Sequence, residues 1–142
     1  MGQNNSNPVL PLANFAGTWQ STHYMSGKKS RILGKMRSYV PDDIFNGKEC
    51  DVETIVSYDK MSMYSPGNST KMKLRGCLDN GGGSINKTAS AVAMNLKMSG
   101  SIGWLQKITY EAQWNSEKSL FYGTYTSSVP YDVGSFTLRS LV

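Results

Sequence analysis

The sequence predicts an all-β domain, namely an antiparallel up-and-down barrel of about eight strands. Three observations carry this prediction. Apolar and polar residues alternate with a period of two over most of the chain. Turn residues separate the alternating segments, and the 14 glycines and 8 tyrosines favour strands and turns over helices. A β-sandwich is the alternative, but closing consecutive strands into a barrel removes the exposed edges of the sheet.

The chain has 142 residues, which is enough for one domain with a substantial hydrophobic core. Residues 1–13 are polar and contain Pro8 and Pro11, so we predict a flexible tail ahead of a single domain at 14–142. Met1-Gly2 has two interpretations. We favour a cloning scar ahead of a secreted or periplasmic chain whose signal peptide has been removed, and the alternative is an intracellular, N-myristoylated protein. No apolar run approaches the roughly 20 residues that cross a bilayer.

Four strands are predicted in the first half of the domain, at residues 15–25, 29–40, 45–58 and 70–78. The first contains Trp19, whose indole needs a large apolar hole. A tight turn at Pro41-Asp42-Asp43 joins the second strand to the third, because proline presets the first corner of a turn. Centring this turn near Asp43 places Arg37 opposite Glu49 and Lys35 opposite Asp51. The acids of the third strand are then flanked by basic residues of both neighbouring strands.

Four further strands are predicted at residues 89–98, 102–114, 120–126 and 134–141. The alanines of 89–98 also suit a short helix, but Val92, Met94, Leu96 and Met98 alternate strictly and favour a strand. The segment 102–114 has the clearest alternation in the chain. Turn residues at 115–118 and 130–132 separate the last three strands.

The chain has two cysteines, Cys50 and Cys77, which we predict to form a disulfide, as a pair in an exported domain suggests. In a cytosolic protein the same pair would be two thiols. By alternation Cys50 points inward and Cys77 outward, so the bond requires a bulge or a twist at one of them. Neither cysteine belongs to a set with metal-ligand spacing, and the single histidine, His23, is predicted to be a strand surface residue. We predict no metal site.

The net charge is +5 and the pI is about 9.2, which favours encounter with acidic partners without defining a site. The chain has no aromatic-plus-glycine RNA-binding signature, no zinc spacing and no long basic helix. We therefore predict no specific nucleic-acid partner. The sequence does not indicate an oligomeric state.

The opening strand carries a family resemblance. Asn14-Phe15-Ala16-Gly17-Thr18-Trp19 resembles the first strand of lipocalins and fatty-acid-binding proteins, and Gly17-Thr18-Trp19 is also similar to the start of avidins. The lipocalin resemblance implies that Trp19 plugs one end of a barrel and that Arg139, from the last strand, packs over it. The lipocalin Thr-Asp-Tyr motif and the ordered biotin-contacting residues of avidin are both missing. The resemblance thus implies an architecture and leaves the ligand open.

Small barrels either fill their interior with side chains or hold one small ligand there. Several inward positions are aromatic or polar, which is typical of a ligand pocket, although the same residues could form a plain core. The candidate ligand-binding residues are Tyr58, Met94, Trp104, Gln106, Tyr110 and Trp114.

These positions favour a non-enzymatic protein that holds a small, largely apolar or aromatic molecule in the barrel interior without a cofactor. One alternative is an exported protein-binding module of the inhibitor, adhesin or immunity type that uses loops at the barrel mouth. Another is a metal-free isomerase or cyclase that confines its substrate in the lumen. The chain offers no serine–histidine–aspartate set and no paired inward carboxylates, so we lean towards a protein that is not an enzyme.

Overall fold

The computed structural model describes residues 13–25, 28–30, 33–59, 69–79, 94–102, 106–128 and 133–141. Eight antiparallel strands form a closed barrel in which each strand pairs with its neighbours along the chain and the last pairs with the first. The barrel strands are β1 (Phe15–Ser21), β4 (Leu33–Tyr39), β5 (Cys50–Tyr58), β6 (Ser69–Asp79), β7 (Asn95–Ile102), β8 (Gln106–Asn115), β9 (Leu120–Ser127) and β10 (Gly134–Ser140). The predicted up-and-down barrel is confirmed and the β-sandwich alternative is wrong.

The closing seam lies between β1 and β10, where Trp19 is opposite Phe136 and Ser21 is opposite Gly134. We call the end of the barrel at Ser21, Tyr58 and Ile102 the upper end. The lower end contains Asn14, whose side-chain Nδ2 donates to the Val40 carbonyl and whose Oδ1 accepts from the Val40 N–H, each at 2.8 Å. This pair of bonds fixes the start of the barrel against the end of β4.

Two predicted strands are divided in the structure. The segment predicted at 15–25 ends in the barrel at Ser21, and β2 (His23–Met25) pairs instead with β3 (Lys28–Ser30) as a separate two-stranded sheet. The second predicted strand therefore joins the barrel only from Leu33. The alternation of apolar and polar residues continues from β1 into β2 and from β3 into β4. It therefore does not show where the chain leaves or rejoins the barrel.

The connection from β4 to β5 corrects the predicted tight turn. Asp42–Asn46 form a 3-10 helix, which ends at Gly47 in the left-handed conformation with a φ of 86°. Ile44 from this helix is fully buried and belongs to the core cluster. The longer connection changes the pairing of the strands, because Arg37 lies opposite Ile55 and Lys35 opposite Ser57, and neither lies opposite an acid as predicted.

Asp51 and Glu53 of β5, and Glu49 immediately before it, are instead neutralised from β6. Arg75 donates from Nη1 to Asp51 at 2.9 Å and from Nε to Glu49 at 3.1 Å, and Lys71 lies 3.4 Å from Glu53. These hydrogen bonds raise the pKa of the Arg75 guanidinium, and the bond to Asp51 contributes more than the bond to Glu49. The β6 half of the predicted charge ladder is therefore present, and the β4 half is not.

Inward residues of all eight strands form one hydrophobic core. From Met72 to Leu78 every second residue of β6 is buried, as the alternation predicts. The buried polar pair Ser38 and Thr54 is joined by a hydrogen bond of 2.9 Å between the two hydroxyls. The core therefore contains side-chain polarity that is satisfied between neighbouring strands.

The predicted disulfide is wrong, since Cys50 and Cys77 are both free. Cys50 lies opposite Gly76 and points to the same face as the buried Val52, whereas Cys77 lies next to Gly76 on the outer face. A disulfide needs Cβ atoms that approach within about 4.5 Å and point towards each other. Two side chains on opposite faces of one sheet do not meet this requirement, and β6 runs past Cys77 without a bulge in its pairing with β7.

The contact implied by the resemblance between Trp19 and Arg139 is also wrong. Arg139 lies opposite Ala16, three positions from Trp19, and its exposed side chain donates from Nη1 to the Lys118 carbonyl at 3.0 Å. The Trp19 ring instead lies against the hydrophobic core, and its Nε1 donates to the Ser57 carbonyl at 3.1 Å. The two side chains are on opposite faces of the sheet.

Other predictions fall outside the described residues, namely the tail at 1–12, residues 89–93 and Trp104. Within the described ranges, no helix has the length and apolar character needed to cross a membrane.

Candidate functional site

The upper end of the barrel contains a small interior cavity of about 40 Å³. Five strands supply its wall, and aromatic rings make up much of it. The lining residues are Trp19, Val56, Tyr58, Ile102, Ile108, Tyr110 and Tyr125. We call this the upper cavity.

Trp19 packs edge to face against two tyrosine rings of the upper cavity. The Trp19 ring lies 5.4 Å from that of Tyr58 and 6.3 Å from that of Tyr125, with interplanar angles of 82° and 81°. The Tyr110 ring lies 5.6 Å from that of Tyr125 and is tilted by 40° to it. Each edge-to-face contact adds roughly 0.5–1.5 kcal/mol beyond the area that it buries, so these contacts help to hold the Trp19 ring in the wall.

A glycine places Trp19 in this wall. Gly34 lies opposite Trp19 on β4, and a Cβ at Gly34 would collide with the indole and with the Ser57 carbonyl. The glycine therefore leaves the space into which the indole turns to reach its hydrogen-bond acceptor. Gly34 determines the position of the ring as much as Trp19 does.

A second glycine joins Ser21 to Tyr125 across the seam. Gly134 lies opposite both residues, and a Cβ at Gly134 would lie 2.8 Å from the Ser21 Cα and 2.8 Å from the Tyr125 ring. The Tyr125 ring therefore occupies the space over Gly134, beside Ser21. The Ser21 hydroxyl is buried and has no hydrogen-bond partner among the described residues.

The lower end of the barrel differs, because aliphatic and aromatic side chains fill it. Ile44 from the 3-10 helix is fully buried there, and the Phe121 ring packs against Phe15 at 5.9 Å and Trp114 at 4.9 Å. Gly76 accommodates this packing, since a Cβ at that position would lie 3.0 Å from Val52 and 3.4 Å from Ile44. Among the described residues, side chains therefore pack the lower interior, and the upper interior retains a cavity.

The predicted ligand-binding residues fall at both ends. Tyr58 and Tyr110 line the upper cavity. Gln106 is also at the upper end, where its Nε2 donates to the Ser127 hydroxyl at 3.2 Å, but it does not line the cavity. Trp114 and Met94 pack against the core at the lower end, where the backbone N–H of Trp114 donates to the Met94 carbonyl at 3.0 Å. Tyr110 and Trp114 share one face of β8, but the four-residue separation along the strand places them about 13 Å apart.

Sequence reasoning missed several residues that line the upper cavity. These residues are Val56, Ile102, Ile108 and Tyr125. Trp19 was assigned a structural role only. Strand direction is the signal that could have grouped these residues. In an up-and-down barrel the last residues of β1, β5, β7 and β9 and the first residues of β4, β6, β8 and β10 lie at the same end.

The described residues contain no group of three or more His, Cys, Asp or Glu side chains that could hold a metal ion. Comparisons of the chain with protein-family models, with curated proteins and with solved structures find no match.

Proposed function

We propose that this chain is a non-enzymatic binding protein that takes the apolar or aromatic end of a small molecule into the upper cavity. The observation that carries the proposal is the contrast between the two ends of one barrel. The lower end is packed with side chains, whereas the upper end keeps a cavity whose wall is mainly aromatic. Aromatic walls with a few directed polar groups are typical of small-molecule sites.

The Ser21 hydroxyl supports the same proposal. Leaving a buried hydroxyl without a partner costs about 1–3 kcal/mol, so native proteins usually satisfy such groups. Ser21 lies beside Tyr125, one of the residues of the cavity wall. Ser21 is not among the residues that line the cavity, so a ligand would satisfy its hydroxyl only by placing a polar atom past the Tyr125 ring. A single bound water would satisfy it as well.

The size of the cavity limits the ligand. About 40 Å³ is well below the roughly 300–1,000 Å³ of a typical small-molecule pocket. Only a small group, such as the edge of a ring, enters without displacing side chains. A larger group must move Tyr58, which is only half-buried at the mouth of the cavity.

The same small volume favours the protein-binding module as a second candidate function. A partner that recognises loops at the barrel mouth needs no interior space, whereas a cavity that encloses a typical small ligand holds roughly 300–1,000 Å³. An isomerase or cyclase that confines its whole substrate would need that larger volume, so it is the least supported of the three functions. Export stays a proposal that rests on the composition of the amino terminus, since the cysteines are not bonded.

The proposal is tested with phenol and indole as probes, using the NMR signal of the Trp19 indole N–H. We expect either probe to shift this signal, and a probe at 100 times its Kd to stabilise the fold by about 2.7 kcal/mol. Ile102→Trp, which fills the cavity, should abolish both effects. Leu33→Trp is the matched control, because Leu33 is at the same end of the barrel but on its exposed outer face.

Failure of both probes to shift the Trp19 signal in the folded wild-type protein would overturn the proposal. So would a shift that persists unchanged in a folded Ile102→Trp variant. Either result would leave the protein-binding module as the better-supported function.

A further inference from the structure

A shallow groove of about 720 Å³ crosses the outside of β6 to β9 in the lower half of the barrel. It lies on the opposite side of the sheet from the core and does not share residues with the upper cavity. Its lining includes the inward-facing Leu96, Ala112 and Gly123, so an occupant would lie against strand backbone there. We call this the outer groove.

A row of three uncharged polar side chains crosses the outer groove. Asn95 on β7 lies opposite Gln113 on β8, which in turn lies opposite Tyr122 on β9. The Tyr122 hydroxyl donates to Gln113 Oε1 at 3.4 Å. Tyr122 is 45% exposed, the highest value among the exposed aromatic residues of the described chain, so its ring is available to an occupant.

This combination matches the surface of a sugar. A pyranose ring presents an apolar C–H face, which stacks on an aromatic ring, and a rim of hydroxyls, which both donate and accept hydrogen bonds. Amide side chains are suited to that rim because each has two donors and an acceptor carbonyl. Tyr122 offers the stacking surface, and Gln113, Asn95 and Thr124 offer amide and hydroxyl groups around it.

The charges of the groove restrict the kind of sugar. Lys97 lies opposite Glu111, and Asp79 is at the β6 end of the groove, which gives it two carboxylates and one ammonium. An acidic sugar would face a small excess of negative charge, whereas a neutral sugar could donate its hydroxyls to the carboxylates.

The surface beyond Tyr122 continues this uncharged character towards the seam. The outward residues of β9 and β1 are all uncharged, and β10 adds Ser135, Thr137 and one charge, Arg139. The hydroxyls of Thr18 and Thr137 lie 3.4 Å apart across the seam, and Gln20 Nε2 donates to the Ser135 hydroxyl at 3.3 Å. Sugar hydroxyls can replace water on such a surface without removing charged groups from solvent.

From these observations we propose that the outer groove binds a neutral oligosaccharide, with one sugar ring stacked on Tyr122. A smaller groove of about 330 Å³ lies outside β4, β1 and β10. The aromatic residues that line it, Trp19 and Phe136, belong to the core, so it has no exposed ring on which a sugar can stack.

The test titrates the full chain with four neutral probes, cellopentaose, chitopentaose, maltopentaose and mannopentaose, and with a heparin fragment as the acidic probe. Binding is followed by calorimetry and by NMR. We expect at least one neutral probe to bind and to shift the signals of Tyr122. Tyr122→Ala should weaken this binding by about tenfold or more, whereas Tyr122→Phe, which keeps the ring, should stay within about threefold of the wild type.

Tyr39→Ala is the matched control, because Tyr39 is a similarly exposed tyrosine, at 38%, on the outer face of β4 away from the groove. This variant should bind as the wild type does. The proposal is overturned if no neutral probe binds, if only the heparin fragment binds, or if Tyr39→Ala weakens binding as much as Tyr122→Ala. These outcomes do not depend on the upper cavity, so they are distinguishable from failure with phenol and indole.

Discussion

At the residue scale, the buried pair Ser38 and Thr54 shows how this barrel includes polarity in its core. Both side chains are fully buried, and each hydroxyl is the other's partner at 2.9 Å. Thr54→Val keeps the shape of the side chain but leaves the Ser38 hydroxyl without this partner. We expect a loss of about 1–3 kcal/mol in the free energy of unfolding, measured by urea denaturation.

The double variant tests the cause of that loss. Adding Ser38→Ala to Thr54→Val removes the orphaned hydroxyl as well, so the double variant should be more stable than Thr54→Val alone. Additive losses from the two substitutions would show that packing, and not the hydrogen bond, accounts for the effect.

The inward positions were predictable residue by residue, because alternation is a local property of a strand. Val52, Thr54, Met72 and Leu74 are all buried as the pattern indicates. Ile55 shows where the pattern stops being sufficient. It lies on the outer face between Arg37 and Lys71, yet it is only 9% exposed. The aliphatic stems of long basic side chains can cover such a residue, and that effect depends on neighbours from other strands.

At the scale of elements, the 3-10 helix Asp42–Asn46 acts as a plug for the lower end through Ile44. We expect Ile44→Ala to cost about 2–5 kcal/mol, since it leaves a cavity against Gly76 and Val52. Asp43→Ala is the matched control, because Asp43 is an exposed residue of the same helix and should change stability by less than about 0.5 kcal/mol. Thermal unfolding of the two variants checks the prediction. Equal effects would mean that the helix, and not its buried side chain, determines the stability of this end.

Strand pairing was less predictable than strand position. The pattern predicted the number of barrel strands, although β7 (Asn95–Ile102) continues four residues beyond the predicted 89–98. The pairing of β4 with β5 depends in addition on how many residues the connection uses. Pro41-Asp42-Asp43 suits both a tight turn and the start of a 3-10 helix. The burial of Ile44 inside the barrel decides between the two. This burial depends on packing near Gly76, which lies far along the chain from Ile44. The same limit explains why the resemblance brought Arg139 too close to Trp19, since the order of strands does not define their register.

At the scale of the whole molecule, the barrel has two distinct outer faces and two distinct ends. Charged side chains are concentrated on β4 to β6, where Arg75 joins Asp51 and Glu49. Uncharged hydroxyl and amide groups predominate on β9, β10 and β1. The upper cavity and the outer groove lie at different ends and on different sides of the sheet. For the upper cavity the sequence indicated Tyr58 and Tyr110, but it did not show which other inward residues join them. The outer groove could not be located from the sequence, because it is assembled from four strands whose register the sequence does not define.

Closure itself depends on a close approach at the seam between β1 and β10. A Cβ at Gly17 would collide with the Thr137 carbonyl and lie 3.1 Å from the Leu138 Cα. Because these obstacles are backbone atoms, no rotation of a side chain relieves them. Gly17→Ala should therefore push the two strands apart and cost about 1–3 kcal/mol or more. Opening the seam also exposes two strand edges, so we expect self-association of the variant in size-exclusion chromatography.

Hydrogen exchange distinguishes an opened seam from a general loss of stability. In Gly17→Ala, amide protection should fall first in β1 and β10, while the pairing of β7 with β8 on the far side of the barrel keeps its protection. Thr126→Ala is the control, since Thr126 is exposed on the outer face of β9 and has no contact across the seam, and it should change stability by less than about 0.5 kcal/mol. If protection falls uniformly through all eight strands, the barrel opens only by unfolding as a whole, and the seam is not its weakest pairing.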